Sequence, residues 1–247
     1  MKKLDFKKLT KQTKNDPDVL ALIIQGSRGK GFHKPDSDHD VLLVVKDKAK
    51  KSCEKNYYKN WDNIDLGITS LSELKKSIKM GRDDDWDRYD YAHVKYIFCK
   101  SKRVKELVKK KGYLPKADQK SWINSSLDAY TNAFFRSVKA KKKGYDLGSH
   151  IEATASIPPL LNALFGLELR HAPFYGYLEK ELEVYPLKNL PIPKLKLLED
   201  IKMILKGDIK TQQKLFGSVK KFFIQHGYKK VFDDWEGRDE KIASLTM

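Results

Sequence analysis

Cysteine and long apolar runs are both scarce in this sequence, and each scarcity excludes a class of protein. The 247 residues include two cysteines, Cys53 and Cys99, with no CxxC spacing, which excludes a disulfide framework and favours a reducing compartment. The longest apolar runs, residues 19–24 and 41–45, are far shorter than the roughly 20 residues of a membrane span. The first 16 residues lack the apolar segment of a signal peptide. We therefore expect a cytoplasmic protein with no membrane partner.

Acidic residues are also few relative to basic ones. The chain has 33 Asp and Glu against 50 Lys and Arg, a formal net charge of +17. A surface this basic attracts polyanions such as nucleic acids and nucleotides. Most of the excess, however, is lysine scattered through predicted helices, as in any lysine-rich proteome. The charge alone therefore leaves its functional use open.

The hydrophobic pattern predicts two domains of different character. Four segments have the β-branched or alternating apolar content of strands: residues 19–24, 41–45, 64–69 and 94–99. After a turn-like break at residues 112–115 the apolar residues recur at helical spacing, and no strand is predicted. The expected fold is α+β, with a small mixed sheet in residues 1–115 and an all-helical bundle in residues 116–247.

A glycine-rich polar loop, residues 26–40, joins the first two predicted strands and carries the most informative pattern. Gly26 and Ser27 end a strand at a tight turn, where a bare backbone lets a phosphate approach closely. Asp38 and Asp40 open the next strand two residues apart, so both carboxylates are expected on one face. Paired carboxylates repel each other unless a cation lies between them. Mg²⁺ is the cation expected there, because it takes oxygen ligands from carboxylates and phosphates.

A third carboxylate fits the same site. Asp65 lies in the predicted strand at residues 64–69, whose apolar neighbours Ile64 and Leu66 face the other way. If this strand lies beside the one that follows Asp40, Asp65 completes a three-carboxylate cluster. Such a cluster holds Mg²⁺ and positions an in-line attack on a nucleoside triphosphate. The strand register is inferred, and Asp62 is close by in the sequence.

The motif resembles the signature of the nucleotidyltransferase superfamily with a polymerase-β-like core. The resemblance rests on Gly26-Ser27 followed by Gly31, then Ser37-Asp38-x-Asp40 before an apolar strand, and it spans residues 19–69. The spacing is similar to that of bacterial enzymes that modify aminoglycoside and lincosamide antibiotics. The sequence departs from that pattern at Gly29-Lys30, where relatives often carry Ala-Arg, and at His39, which is commonly apolar.

The resemblance implies a function and a set of roles. Residues 1–115 are expected to form the catalytic domain, and residues 116–247 a helical domain that binds the acceptor. Asp38, Asp40 and Asp65 are expected to bind Mg²⁺. The triphosphate, expected to be ATP, is predicted to contact four residues: Gly26, Ser27, Arg28 and Lys30. AMP would then be transferred to a hydroxyl of a small, aminoglycoside-like acceptor, with Asp65 or the helical residue Glu152 as general base.

Several alternatives stay open on the sequence alone. Arg28 and Lys30 fit a solvated loop as well as they fit phosphate contacts, and Glu152 fits an ordinary helix surface. The basic composition is also compatible with nucleotidyl transfer to RNA or protein. A third reading is a non-catalytic, antitoxin-like protein, although the presence of all three carboxylates argues against it. The nucleotide, the acceptor and the oligomeric state are not readable from the sequence.

Overall fold

The chain divides into two compact units, Met1–Leu114 and Pro115–Met247. The computed structural model describes residues 6–59, 61–81 and 85–236. Within these ranges every β-strand belongs to the first unit, and the second unit is built from helices. The predicted α+β class is therefore confirmed.

The first unit is organised around a four-stranded mixed sheet. Its strands are β1 (Val19–Ile24), β2 (His39–Val45), β3 (Ile64–Ser70) and β4 (Lys95–Cys99). The spatial order is β3-β2-β1-β4; β1 is antiparallel to both of its neighbours, whereas β2 and β3 run parallel. All four strands were predicted, with boundaries that differ by two residues or fewer.

Helices cover both faces of this sheet. In chain order they are α1 (Phe6–Asn15), α2 (Gly26–Lys30), α3 (Lys50–Tyr57), α4 (Leu71–Ser77) and α5 (Lys102–Gly112). Val41, Leu43 and Val45 pack in one apolar cluster with residues of α1 and α3. Leu42 and Val44 pack in a second cluster with residues of α4 and α5. The central strands are buried on both faces, as their continuous apolar runs predicted.

Two elements of the first unit differ from the sequence-based expectation. Residues 26–40 were predicted as one polar loop, but their first five residues form the short helix α2, which ends in a left-handed Gly31. Helix α3 was not predicted, because its apolar content is low. It lies between β2 and β3, and parallel neighbours of this kind require a crossover connection.

The second unit is a helical bundle whose core combines aliphatic side chains with several phenylalanine rings. Its helices are α6 (Gln119–Lys142), α7 (Asp146–Ala155), α8 (Ile157–Gly166), α9 (Leu178–Val184), α10 (Lys194–Ile204), α11 (Ile209–Gln225) and α12 (Lys229–Glu236). The rings of Phe134 and Phe216 stack with their centroids 3.8 Å apart. Helices α7 and α8 are separated at Ser156, just before Pro158 and Pro159, because proline is tolerated only in a first helical turn.

None of the helices in the described ranges combines the length and the apolar character that crossing a bilayer requires.

Candidate functional site

The candidate site lies where β1 ends and β2 begins. The backbone N–H of Gln25 donates to the carbonyl oxygen of Asp40 at 2.8 Å, which ties the two strand ends together. The next residue, Gly26, has a φ of +51°. A β-carbon at that position would lie 1.6 Å from Oδ2 of Asp40. The carboxylate of Asp40 therefore occupies the space that a side chain at position 26 would fill.

The predicted pairing of the aspartate strands is confirmed. β2 and β3 are parallel neighbours, with Asp40 directly in register with Asp65. Val41 and Leu43 of β2 and Ile64 and Leu66 of β3 pack together on one face of the sheet. Side chains alternate between the two faces along a strand, so Asp40 and Asp65 lie on the other face. Both aspartates are thus on the same face. Asp65 is exposed and Asp40 is half-buried.

Asp38 is placed differently from the prediction. It was expected to open the second strand, but β2 begins one residue later, at His39. Asp38 is exposed in the preceding loop. The sheet therefore does not by itself determine the direction of this carboxylate, and the loop that carries Asp38 decides where it lies.

Arg28 holds that loop. Its Nε and Nη2 atoms donate to the carbonyl oxygen of Ser37 at 3.0 and 2.6 Å, and Nε also donates to the carbonyl oxygen of Asp38 at 2.9 Å. The planar guanidinium group suits such a fork of acceptors. Arg28 was predicted to contact phosphates; its Nε and Nη2 atoms are hydrogen-bonded to the backbone carbonyl oxygens of Ser37 and Asp38.

The acidic groups affect one another electrostatically. Burial raises the pKa of the Asp40 carboxyl above its ordinary value, and the negative charges of Asp38 and Asp65 raise it further. The positive charge of Lys30 acts in the opposite direction. A carboxyl whose charged form is disfavoured by two like charges is one that a cation would stabilise.

Ser27 and Lys30 are both buried. Ser27 is 9% exposed, and its carbonyl oxygen accepts the N–H of Phe32 at 2.8 Å, which closes the turn after α2. Lys30 is 0% exposed, and its ammonium lies 4.6 Å from the centroid of the Tyr89 ring. Lys30 was predicted to contact the triphosphate, and its side chain packs inside the first unit.

Asp90 is a fourth acidic residue of this region, and the sequence analysis missed it. Burial raises the pKa of its carboxyl to about 6, and the charge of Asp40 adds to the rise, whereas that of Lys30 opposes it. Asp90 belongs to the 3₁₀ segment Asp85–Tyr91. That segment has neither strand nor α-helical periodicity, so only tertiary packing brings it to the site.

His39 lies on the opposite face of β2 from Asp40. Its ring stacks on Phe6 with centroids 4.8 Å apart and planes inclined by 18°. Burial, followed by the nearby Arg28 charge, lowers the pKa of the imidazole. The His39 side chain therefore points away from the aspartates and packs on Phe6.

Glu152 lies in the second unit, on α7. Its Oε1 atom is 2.5 Å from Nη2 of Arg136, and the Glu152 side chain is 23% exposed. The carboxylate is therefore the partner of an exposed arginine on the neighbouring helix α6. This ion pair is typical of a glutamate on a helix surface. Among the contacts that the structure describes for Glu152, none indicates a catalytic role.

The ligand atoms of the aspartate site are of the type that Mg²⁺ prefers. Asp38, Asp40 and Asp65 supply only carboxylate oxygens, the hard ligands that Mg²⁺ prefers. Across residues 6–59, 61–81 and 85–236, however, no three acidic, histidine or cysteine side chains converge closely enough to hold a metal ion unaided. Mg²⁺ is usually bound by one or two carboxylates together with substrate phosphates, so a complete protein cage is not required.

Comparisons with known proteins agree with the character of the first unit. Residues 6–114, fewer than half of the chain, match the family model described as a nucleotidyltransferase domain. Among solved structures, a nucleotidyltransferase-like protein from Exiguobacterium sibiricum 255-15 is 14% identical, covering 89% of this chain and 77% of that one with a TM-score of 0.40. No curated protein gives a significant match. The family-model match by itself makes residues 6–114 similar to a nucleotidyltransferase domain, and this similarity suggests a transferase.

Proposed function

We propose that the protein transfers a nucleoside monophosphate from a Mg²⁺-bound nucleoside triphosphate, expected to be ATP, to a hydroxyl group of an acceptor. The observation that carries the proposal is the in-register pair Asp40 and Asp65, with the Asp40 carboxylate packed against Gly26. The match of residues 6–114 to a nucleotidyltransferase domain supports the reaction class independently.

Each residue of the site has a role that follows from its surroundings. Asp40 and Asp65 present oxygen ligands on one face of the sheet, and Asp38 adds a third from the loop that Arg28 holds. When bound there, Mg²⁺ would neutralise phosphate charge and orient the α-phosphate for in-line attack. Gly26 and Ser27, at the turn that follows β1, are the proposed contacts of the triphosphate.

The general base is proposed to be Asp65 or Glu152. It would take the proton of the acceptor hydroxyl as the oxygen attacks the α-phosphorus, and pyrophosphate would leave. Asp65 is exposed on the face that it shares with Asp40. Glu152 is already engaged by Arg136, so the geometry favours Asp65.

The test is pyrophosphate release from each labelled nucleoside triphosphate with Mg²⁺ and a panel of aminoglycosides, lincosamides and tRNA. Wild-type protein is expected to release pyrophosphate with one acceptor class, and Asp40→Asn and Asp65→Asn are expected to abolish release. Asp62→Asn is the matched control, because this exposed aspartate lies outside the paired strands. Near-normal turnover by Asp40→Asn would refute the metal assignment.

A small, antibiotic-like acceptor is the proposed substrate class, and RNA is the alternative that the basic composition favours. The net charge of +17 would attract a polyanion, and its binding would weaken steeply with salt. Transfer to tRNA that falls sharply between about 50 and 200 mM salt would favour RNA. Transfer to a small molecule at a rate that does not depend on salt would favour the small, antibiotic-like acceptor. Nucleotide binding without any transfer would indicate a non-catalytic, antitoxin-like protein.

A further inference from the structure

Helices α4 and α5 cover one face of the sheet in the first unit and contact each other. Leu74 of α4 and Leu107 of α5 pack in one apolar cluster with Leu42 and Val44 of β2. Because side chains alternate along β2, this is the face of the sheet on which Asp40 lies. The outer surfaces of the two helices therefore belong to the same side of the unit as the candidate site.

The outer surface of α5 is almost entirely basic. Its exposed residues are Lys102, Arg103, Lys105, Glu106, Lys109 and Lys110. At 3.6 residues per turn these six positions fall within one arc of about 160°, opposite the buried Val104, Leu107 and Val108. The only acidic residue among them, Glu106, lies 3.1 Å from Nη1 of Arg103. Among the described residues, no ion pair neutralises the four lysines.

Helix α4 extends this basic surface. Lys75 and Lys76 are exposed on α4, and Lys79 is exposed just after the helix ends. The exposed acidic residue of α4, Glu73, is already paired, because its Oε1 atom lies 2.5 Å from Nζ of Lys50. We refer to the combined patch as the α4–α5 surface, which consists of Lys75, Lys76, Lys79, Lys102, Arg103, Lys105, Lys109 and Lys110.

The segment Asp85–Tyr91 contacts α5 and contributes acidic residues nearby. Asp87 is neutralised by Lys111, whose ammonium lies 2.7 Å from Oδ2 of the aspartate. The side chains of residues 83–85, all aspartates, lie outside the described part of the chain. The positive charge of the α4–α5 surface is therefore not cancelled by Glu73, Glu106 or Asp87, each of which has its own cation.

The residues of α5 indicate what kind of anion this surface fits. All the apolar side chains of α5 are buried in the unit, so the helix has none to insert into a membrane surface, as an interfacial helix requires. Lys102, Lys105 and Lys109 recur along one stripe at intervals of about 5–6 Å in the axial direction. A row of ammonium groups matches a regular row of phosphates, and such contacts release the counterions that surround a nucleic acid.

We propose that the α4–α5 surface binds RNA through its phosphate backbone. Contacts to the backbone carry no sequence information, so this binding is expected to be independent of sequence and to weaken steeply with salt. The inference goes beyond the proposed function, because it does not require that RNA accept the nucleotide. It also assigns part of the net charge of +17 to a defined surface of the first unit.

Binding of fluorescein-labelled tRNA to the full chain, measured by fluorescence anisotropy without nucleotide, tests the proposal. The test variant carries three substitutions on α5: Lys102→Gln, Lys109→Gln and Lys110→Gln. The matched control carries three on α1: Lys7→Gln, Lys11→Gln and Lys14→Gln. All six lysines are exposed, and α1 packs on the opposite face of the sheet through Leu9. Lys105 is kept, because its ammonium lies 5.6 Å from the centroid of the Tyr96 ring.

The two triple variants have the same net charge, so a difference between them reports the position of the charge. We expect the α5 variant to raise the Kd for tRNA at least about tenfold, and to reduce the slope of log Kobs against log salt by about two to three. The α1 variant is expected to keep Kd within about threefold of wild type. If the α5 variant does not fold, Lys109→Glu replaces it, with an expected rise in Kd of about threefold or more.

Several results would overturn the proposal. Equal losses of affinity in the two triple variants would mean that net charge, and not this surface, attracts RNA. Wild-type protein that does not bind tRNA at 50 mM salt would reject it, as would double-stranded DNA that binds at least tenfold more tightly than tRNA. Binding to vesicles of phosphatidylserine and phosphatidylcholine in place of tRNA would assign the surface to a membrane. Because no nucleotide is present, a failure of nucleotide transfer would reject the proposed function without changing these results.

Discussion

The carboxylate of Asp40 lies so close to the α-carbon of Gly26 that a β-carbon there would be 1.6 Å from its Oδ2 atom. Gly26→Ala would therefore push the Asp40 side chain out of its position, besides straining a φ of +51°. Because a misplacement of about 1 Å can cost roughly 100-fold in rate, we expect a loss of transfer of that order. Pyrophosphate release at saturating substrate measures it.

Gly31→Ala is the control for backbone strain. Gly31 also has a left-handed φ, +80°, but an added β-carbon there would meet no atom within 4 Å. This variant is expected to lose about 1 kcal/mol of unfolding free energy and to keep most of its activity. Equal losses of activity in both alanine variants would mean that the contact with Asp40 is unimportant.

Arg28→Lys tests whether the loop before β2 sets the position of Asp38. Lysine keeps the positive charge but cannot reproduce the forked hydrogen bonds to the Ser37 and Asp38 carbonyl oxygens. We expect stability to fall by about 1–2 kcal/mol and kcat to fall about tenfold, measured by urea unfolding and transfer assays. Arg103→Lys is the control, because its Glu106 partner is exposed. Unchanged kcat in Arg28→Lys would count against this role.

Asp65→Asn and Glu152→Gln distinguish the two candidate bases. Because Asp65 is also a proposed ligand, its variant is expected to be inactive. Glu152→Gln is expected to keep kcat within about threefold of the wild-type value. Its free energy of unfolding should fall by at most about 1 kcal/mol, since its arginine partner is exposed. Arg136→Gln should match it in stability. A loss of 100-fold or more in kcat for Glu152→Gln alone would instead assign the base to Glu152.

Asp90 makes the stability of the first unit depend on pH. Its pKa rises from an ordinary 3.8 to about 6 in the folded chain, so the folded state binds the proton more tightly than the unfolded state does. Protonation of Asp90 therefore stabilises the fold, and this stabilisation is lost as the pH rises from about 4 to about 6.

Comparison of wild type with Asp90→Asn over that range isolates the contribution. A shift of about two units corresponds to at most about 3 kcal/mol, and solvent screening of a half-buried group reduces it to on the order of 1 kcal/mol. The unfolding free energy of wild type should decline more steeply from pH 4 to pH 6 than that of the variant. Parallel declines would contradict the raised pKa.

Local sequence patterns predicted the strands and the pairing of Asp40 with Asp65 well. Continuous apolar runs at residues 19–24 and 41–45 require burial on both faces, and they form the two central strands. Alternation along residues 64–69 put Asp65 on the face opposite to Ile64 and Leu66, where the structure has it. Helices α2 and α3 were missed because both are short and mostly polar in sequence.

The positions of the cationic residues could not be predicted in the same way. Arg28 and Lys30 are two residues apart and similar in charge, yet one fastens a loop and the other is buried under Tyr89. Both destinations depend on residues distant in sequence. The hydrophobic periodicity of a helix or strand predicts which of its faces is buried. It does not predict which side chains of another element will contact that face.

The amino-acid sequence by itself determined the order of the strands along the chain, the glycine turn and the acidic residues that follow it, because backbone preferences and hydrophobic periodicity act over a few residues. Tertiary structure alone decided which charges meet. Lys30 meets the Tyr89 ring because the Asp85–Tyr91 segment packs beside α2, and Asp40 fits over Gly26 because two strand ends are tied together. Electrostatic interactions act through space, so their partners are known only once the chain is folded.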